Sequence, residues 1–503
     1  MDLIYPISYL ISLAGIVTWF FVQDNRTLSR PASFIFLLGF LVYLIALSLA
    51  SADLDYKFLI LFRDLVILGV TTQLFNIFQN NKVLSIVLGL GVVLTIYFSY
   101  FSVLTYTFPQ IDTDRMDPKG EFLVQMEMEQ EIIDKLSSEW NCTFERAFDP
   151  EKENITDLDD YFVVNDLTNS RRSRKILYTR LDGLPEVAWF EPNEIFALDA
   201  PEITPVTPLK REFFLNDPGM QHQWGLDPMG VDDLHRFLME SGITPRKVAK
   251  IAIVDSGVDA KHEDLRANYT SFNKKYDEDP NKHGTHCAGI AAAVSNNKLG
   301  IASMAPGTGY VTVTGFKVIN AYGMGTQKQV IKGIIEAVDS GADVVSLSLG
   351  GPTQRKKEIA YKAAVDYALD HGAIVVVAAG NSNKSAKTMS PANVEGVIVV
   401  SAVNNEKSKA FFSNTVDDIE MSVAAPGQDI YSTVPNNKYA SLSGTSMATP
   451  YVSGLIGLMK SLRPELTARE AFQILHSTGS ETKDGDRTGM FIQPYAAILE
   501  LVD

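Results

Sequence analysis

The chain is 503 residues long, enough for several domains. Its 60 acidic and 44 basic side chains leave a net charge of −16, which excludes an electrostatic grip on nucleic acid, because no basic stripe offsets phosphate charge. Two cysteines, Cys142 and Cys287, exclude a disulfide framework and are read as free thiols. The mean hydropathy of +0.04 averages two unlike parts. Residues 1–106 are apolar and nearly uncharged, whereas 107–503 have ordinary globular composition.

Four apolar runs open the chain, at about 3–22, 32–51, 57–78 and 83–104. Each approaches the roughly 20 residues that cross a bilayer as a helix. A cleavable signal peptide fits poorly, since the first run is long, lacks a basic start and is followed by three more. Residues 1–106 are therefore expected to form a membrane domain of four transmembrane helices, with the lipid bilayer as a partner. The first loop carries Arg26 and Arg30, the third carries Lys82, and the second, ADLDY, is acidic. That bias puts loops one and three inside and everything after residue 104 on the extracytoplasmic side. Arg63 and Asp64 interrupt the third run. Arg63 is expected to snorkel toward the outer interface, with Asp64 close to the same water.

Residues 107–120 read as a polar linker. From 121 to 199 the pattern alternates: EFLVQM as strand, MEQEIIDKLSSEW at helical spacing, CTFERAF and YFVVND as strands. SRRSRKILYTRLDG then reads as a helix ended by Gly183, and VAWFEPNEIFAL as a strand. The order βαββαβ is the ferredoxin-like pattern. Residues 200–214 hold three prolines and no periodicity, a second linker. From 215 to 503, short apolar runs such as KIAIVDSG, YVTVTGFKV, DVVSLSLGG, AIVVVAAGN and GVIVVSAV alternate with helical stretches. Such runs suit doubly covered strands of a mostly parallel α/β sheet.

Polar residues follow those runs, at the strand ends where open α/β sheets place ligands. Asp255 ends IAIVD, His283 opens HGTHCAGIAAAV, Asn381 follows AIVVVAAG, and Ser446 lies where SGTSMATP turns into a helix. A Ser, a His base and an orienting carboxylate are what nucleophilic acyl transfer requires. Asn381 offers an amide donor, and the helix start at Ser446 its own N–H, for a developing oxyanion. His283 and His286 stand three apart and could share a helix face as zinc ligands, but no HExxH, second His pair or CxxC accompanies them. On the residues alone, acyl transfer and a metal-assisted reaction both stay open.

The blocks IVDSGVDAKHEDL, HGTHCAG, SLSLGGP, VAAGN and GTSMATPYVSG resemble the signature blocks of subtilisin-like serine proteases, in the family order Asp, His, Ser. The resemblance covers about 216–500. It implies a three-layer catalytic domain over 215–503 and a serine endopeptidase acting on polypeptide substrates. Asp255, His283 and Ser446 take the triad positions, Asn381 that of the oxyanion donor, and His286 becomes structural. By the same resemblance Ser348, Leu349 and Gly350 pair with an extended substrate by β-addition. Ala378, Ala379 and Gly380 line the pocket for the side chain before the scissile bond, and their small size implies tolerance of large apolar side chains. The stretch after Asn381 is short for the family, which leaves the far wall unassigned. A structural calcium is implied at Asp264 and Asn297, with carbonyls of Val294, Leu299 and Ile301; the loop is one residue longer than the common form. No organic cofactor is implied. Residues 121–199 resemble the family's inhibitory prodomain, whose tail lies in the cleft, with cleavage near Leu198, Asp199 or Ala200. The expectation is a membrane-anchored zymogen; the alternative is a catalytically silent peptide-binding or signalling module.

Overall fold

The computed structural model describes residues 4–48, 54–78, 116–117, 121–198, 208–209, 211–353 and 358–502. Contacts divide the chain into two compact units, Met1–Ile111 and Asp112–Asp503.

The first unit contains helices α1 (Ile4–Val22), α2 (Arg26–Ser48) and α3 (Leu54–Phe78). Among the described residues, Arg26–Ser48 is long and apolar enough to cross a membrane, and Ile7–Val22 is a shorter apolar helix. The fourth expected run, 83–104, lies outside the described residues. The first loop is shorter than its polar composition suggests: Asn25 Oδ1 accepts from the Thr27 N–H at 3.1 Å, and α2 begins at Arg26. The expectation that Asp64 meets water is corrected. Asp64 is 1% exposed, and its carboxylate accepts from Tyr43 Oη and Arg63 Nε, each at 2.9 Å. Tyr9 Oη donates to its carbonyl at 2.6 Å. Pairing inside the helices, rather than hydration, satisfies this charge.

The second unit starts with strands β1 (Glu121–Met126), β2 (Cys142–Arg146), β3 (Tyr161–Asp166) and β4 (Val187–Pro192). Helix α4 (Gln130–Trp140) joins β1 to β2, and α5 (Arg171–Asp182) joins β3 to β4. The strands order as β2-β3-β1-β4, every neighbouring pair antiparallel. Ser170 caps α5 in a capping box with Ser173.

Seven strands build the larger sheet: β6 (Ala249–Asp255), β7 (Val311–Lys317), β9 (Val344–Leu347), β11 (Ile374–Ala378), β13 (Ile398–Val403), β14 (Ser422–Pro426) and β17 (Met490–Phe491). Their order is β17-β14-β13-β11-β9-β6-β7, and all neighbours run parallel. The chain places β7 on one side of β6 and then crosses to β9 on the other, so strand order reverses at β6. Helices after β4 are α6 (Val231–Glu240), α7 (His283–Ala292), α8 (Gln327–Asp339), α9 (Ile359–Asp370), α10 (Thr445–Leu462), α11 (Ala468–Ser477) and α12 (Pro494–Val502). Alternation along a doubly covered strand separates two cores: Ile251 and Ile253 of β6 join α7 and α10 in one, whereas Ala252 and Val254 join α8 and α9 in the other. This is an α/β domain with helices on both faces of a parallel sheet, as the runs of apolar residues imply.

Short strands complete the unit: β5 (Ile195–Ala197), β8 (Met324–Thr326), β10 (Gly351–Pro352), β12 (Met389–Ser390), β15 (Ile430–Val434) and β16 (Lys438–Leu442). β5 pairs antiparallel with β8, β10 with β12, and β15 with β16.

Candidate active site

Three neighbouring strands, β6, β9 and β11, deliver polar residues past their carboxyl ends: Asp255 ends β6, Ser348 follows β9 and Asn381 follows β11. This is the edge at which strand order reverses, where such sheets form a crevice. His283 is the first residue of α7, and Ser446 the second of α10. Gly284 permits the approach of α7 to β6, since a Cβ there would lie 2.1 Å from the Gly257 carbonyl.

His283 Nδ1 sits 2.9 Å from both carboxylate oxygens of Asp255, and both side chains are buried. Burial alone would push the His283 pKa down, but the Asp255 carboxylate overrides it and holds the pKa well above 6.5. Cys287 Sγ lies 3.9 Å from the same ring nitrogen and 3.4 Å from the Ser446 carbonyl oxygen. Burial raises the thiol's own pKa, so it stands beside the pair as a neutral group and Asp255 is the charge that matters.

Ser446 Oγ donates to the Ser348 carbonyl at 3.0 Å, and Ser348 Oγ donates back to the Ser446 carbonyl at 2.8 Å. The Ser446 hydroxyl is thus turned to a carbonyl rather than to the imidazole. Such contacts commonly tighten only with substrate bound. Asn381 Oδ1 accepts from both the N–H and the Oγ1 of Thr445, each at 2.9 Å. That anchorage fixes the amide plane. A Cβ built on Gly444 would lie 3.4 Å from Asn381 Nδ2 and 3.6 Å from the Ser446 nitrogen, so the two donors flank one small space that glycine keeps open.

His283 and His286 do not converge. His286 turns to the β16 side, its Nε2 3.1 Å from the Ala440 carbonyl, and burial depresses its pKa to about 3. Helical rotation thus carries the second ring away from Asp255 and into a neutral structural place, which speaks against a shared zinc. Asp255, His283 and Cys287 do present ligand atoms within 4.8 Å of one another, but the first two are already engaged with each other.

Of the six residues expected to contact substrate, Ser348, Leu349 and Ala379 are almost wholly buried. Ala379 N donates to the Val400 carbonyl, and its carbonyl accepts from Asn414 Nδ2 at 2.8 Å. Ala378 is also nearly buried, and Gly380 takes φ +97°, a glycine conformation. A Cβ on Gly380 would meet Met389 Cε at 3.0 Å and Cγ at 3.1 Å. Met389 therefore packs against the small-residue run. Gly350 closes on the same element, its would-be Cβ 2.8 Å from the Ser390 carbonyl.

The edge carried by β8 and β10 is held by the chain itself. Ile195, Phe196 and Ala197 pair with Thr326, Gly325 and Met324, and the Leu198 N–H donates to the Gly323 carbonyl at 2.8 Å. Phe196, 8% exposed, packs over Gly325 and Gly351. Asp199 and Ala200 lie outside the described residues. Upstream, the start of α8 is also gripped: the buried Glu191 accepts from Gln327 Nε2, the Glu194 carbonyl from Gln327 N, and Asn193 Oδ1 from Lys328 N.

In the loop after α7, Asp264 accepts from Asn297 Nδ2 at 2.7 Å and from the Ile301 N–H at 2.8 Å. Asn297 Oδ1 accepts from Leu299 N, and Val294 N donates to the Asp264 carbonyl. The sequence missed Asp217, which accepts from the N–H groups of Asn296 and Asn297; its signal is the acidic NDP stretch beside the proline-rich linker. Burial raises Asp264 to about 7, and the charge on Asp217 pushes the same way. Two buried carboxylates and an amide oxygen are a donor set that suits a hard cation.

A profile of the subtilase family matches residues 246–491. Subtilisin DY of Bacillus licheniformis is 41% identical over 242 residues, which are 47% of this chain and 85% of that protein. Thermitase of Thermoactinomyces vulgaris is 45% identical over 218 residues, 42% of this chain and 75% of its own. Subtilisin E of Bacillus subtilis strain 168 is 35% identical over 276 residues, 53% of this chain and 70% of its own.

Proposed function

The chain belongs to the subtilase family and is a serine endopeptidase, and from that premise we propose that it works as a membrane-anchored enzyme made as a zymogen. The observation that carries the chemistry is the buried Asp255–His283 pair beside the helix start that bears Ser446.

In this reading Ser446 Oγ leaves the Ser348 carbonyl and attacks the scissile carbonyl carbon, passing its proton to His283 Nε2. Asp255 holds the Nδ1–H, fixing the tautomer and stabilising the imidazolium. Asn381 Nδ2 and the Ser446 N–H donate to the oxyanion. His283 then gives the proton to the leaving amine, and water, deprotonated by the same ring, hydrolyses the acyl-enzyme. Substrate enters as a strand along Ser348–Gly350, with Ala378–Gly380 and Met389 about the side chain before the scissile bond. Asp217, Asp264, Asn297 and the carbonyls of Val294, Leu299 and Ile301 would hold a calcium ion, which would compensate the two buried carboxylates.

Residues 121–199 act as an inhibitory ferredoxin-like prodomain; the strand order β2-β3-β1-β4 and the pairing of β5 with β8 support this. Residues 1–106 anchor it to the bilayer with the catalytic domain, 215–503, outside. A cut near Leu198 to Ala200 separates enzyme from anchor.

The test is labelling by a fluorescent fluorophosphonate of detergent-solubilised wild type and Ser446→Ala. A band in the wild type alone supports the reading. No band, even after limited proteolysis, overturns it in favour of a silent peptide-binding module.

A further inference from the structure

The catalytic helix α7 starts badly by its own sequence. Its N-cap residue, Lys282, has φ +82° and no side-chain oxygen with which to satisfy the first-turn N–H groups. Those groups are satisfied from outside the helix. The Gly284 N–H donates to Ser256 Oγ at 3.0 Å, and the Thr285 N–H to Asp279 Oδ2 at 2.8 Å.

Asp279 collects far more than a cap. Its Oδ1 accepts from Ser256 Oγ at 2.8 Å, Lys282 N at 2.9 Å and Asn281 N at 3.1 Å, and its Oδ2 also accepts from Thr285 Oγ1 at 2.7 Å. The carboxylate is buried. Ser256, in turn, donates its N–H to Asp255 Oδ1 at 2.7 Å. One side chain therefore ties the residue after Asp255 to the residues on both sides of His283. A negative group at a helix N-terminus is also favoured by the helix dipole.

We propose that Asp279 is a positioning residue for the reaction: through Ser256 and the first turn of α7 it fixes the Asp255–His283 pair, and it places a second buried carboxylate across Ser256 from Asp255. The inference rests on the triad assigned above. Burial raises the Asp279 pKa, opposed by the Thr285 and Ser256 hydrogen bonds and reinforced by the Asp255 charge. The other titratable and charged groups in this region are Asp255 from β6, Cys287 and His286 from α7, Lys317 of β7, whose Cε approaches Gly257, and Glu278 and Lys282 flanking Asp279 in its own loop. Both variants below leave all of these in place.

The experiment compares wild type, Asp279→Asn and Ser256→Ala in kcat, KM, pH dependence of kcat/KM and thermal midpoint, on a chromogenic peptide. Asp279→Asn should lower kcat by about 100-fold, the scale of a misplaced catalytic group, with KM within about twofold. Removing the charge should also move the acid limb to lower pH. Ser256→Ala keeps the charge but breaks the tie, so kcat should fall about tenfold with the limb in place. A lowered thermal midpoint with unchanged kcat and limb would make Asp279 a helix cap only. If Asp279→Asn does not fold, an unchanged kcat in Ser256→Ala overturns the proposal. A wild type that fails to label with fluorophosphonate sinks the triad assignment instead, so the two failures are distinguishable.

Discussion

The two faces of the parallel sheet are buried in different ways. On the α7 and α10 side, the buried core residues among those described lie between Leu215 and Leu501, all in the catalytic region. On the α8 and α9 side, Leu123, Ala147, Phe148, Leu158, Tyr161, Val163 and Phe196 enter the same cluster as Val330, Ile334 and Tyr361. The nucleophile rides on the self-contained face, whereas the segment lying along the cleft edge is held through the shared one. If residues 121–199 are the removable prodomain proposed above, their loss leaves the core beneath the nucleophile untouched.

Truncation of one large side chain in each core would break that comparison if it fails. Phe148→Ala, at a site 1% exposed, should cost about 3–5 kcal/mol in the full chain, and trimming at the cut removes this residue altogether. Leu455→Ala, at a fully buried site, should cost about 2–5 kcal/mol in both forms. Thermal unfolding of full-length and trimmed enzyme checks both. Clearly unequal losses for Leu455→Ala in the two forms would contradict the division.

The pH response sharpens the view of the self-contained side. His283 must be neutral to accept a proton, and Asp255 raises its pKa, so the imidazole stays protonated to higher pH than a free histidine. The acid limb of kcat/KM should therefore lie above the ordinary value of 6.5, with activity growing as pH rises through it. Cys287→Ala should leave that limb in place. Activity already level at pH 6.5 would remove Asp255 as the controlling charge.

The smallest expected effect concerns selectivity. Met389 narrows the space beside Gly380, so wild type should prefer small side chains before the scissile bond, against the large ones that the Ala-Ala-Gly run suggests by itself. Met389→Gly should raise the kcat/KM ratio of a Phe to an Ala peptide by about tenfold. An unchanged ratio would take Met389 out of the pocket.

The strands of the large sheet were legible because doubly buried strands read as unbroken apolar runs, and their polar ends marked Asp255 and Asn381. His283 against His286 was undecidable by spacing alone, since rotation along the helix, not sequence distance, turns one ring to Asp255 and the other to Ala440. Asp279 and Asp217 were missed because the partners of each, backbone N–H groups and for Asp279 two hydroxyls as well, are brought to it only by the fold. Met389 escaped for a related reason: only the fold brings β12 against Gly380. Asp64 was misread because a charge beside an arginine near a helix start has two solutions, and the choice depends on Tyr43, one helix away.

The most direct test of the central claim is the size and N-terminus of the protein recovered from membranes of cells making wild type or Ser446→Ala. Wild type should yield a soluble fragment beginning near Asp199 to Pro201, while Ser446→Ala stays as the 55.5 kDa chain in the membrane fraction. The same full-length chain from both, active toward peptides in the wild type, would contradict the zymogen.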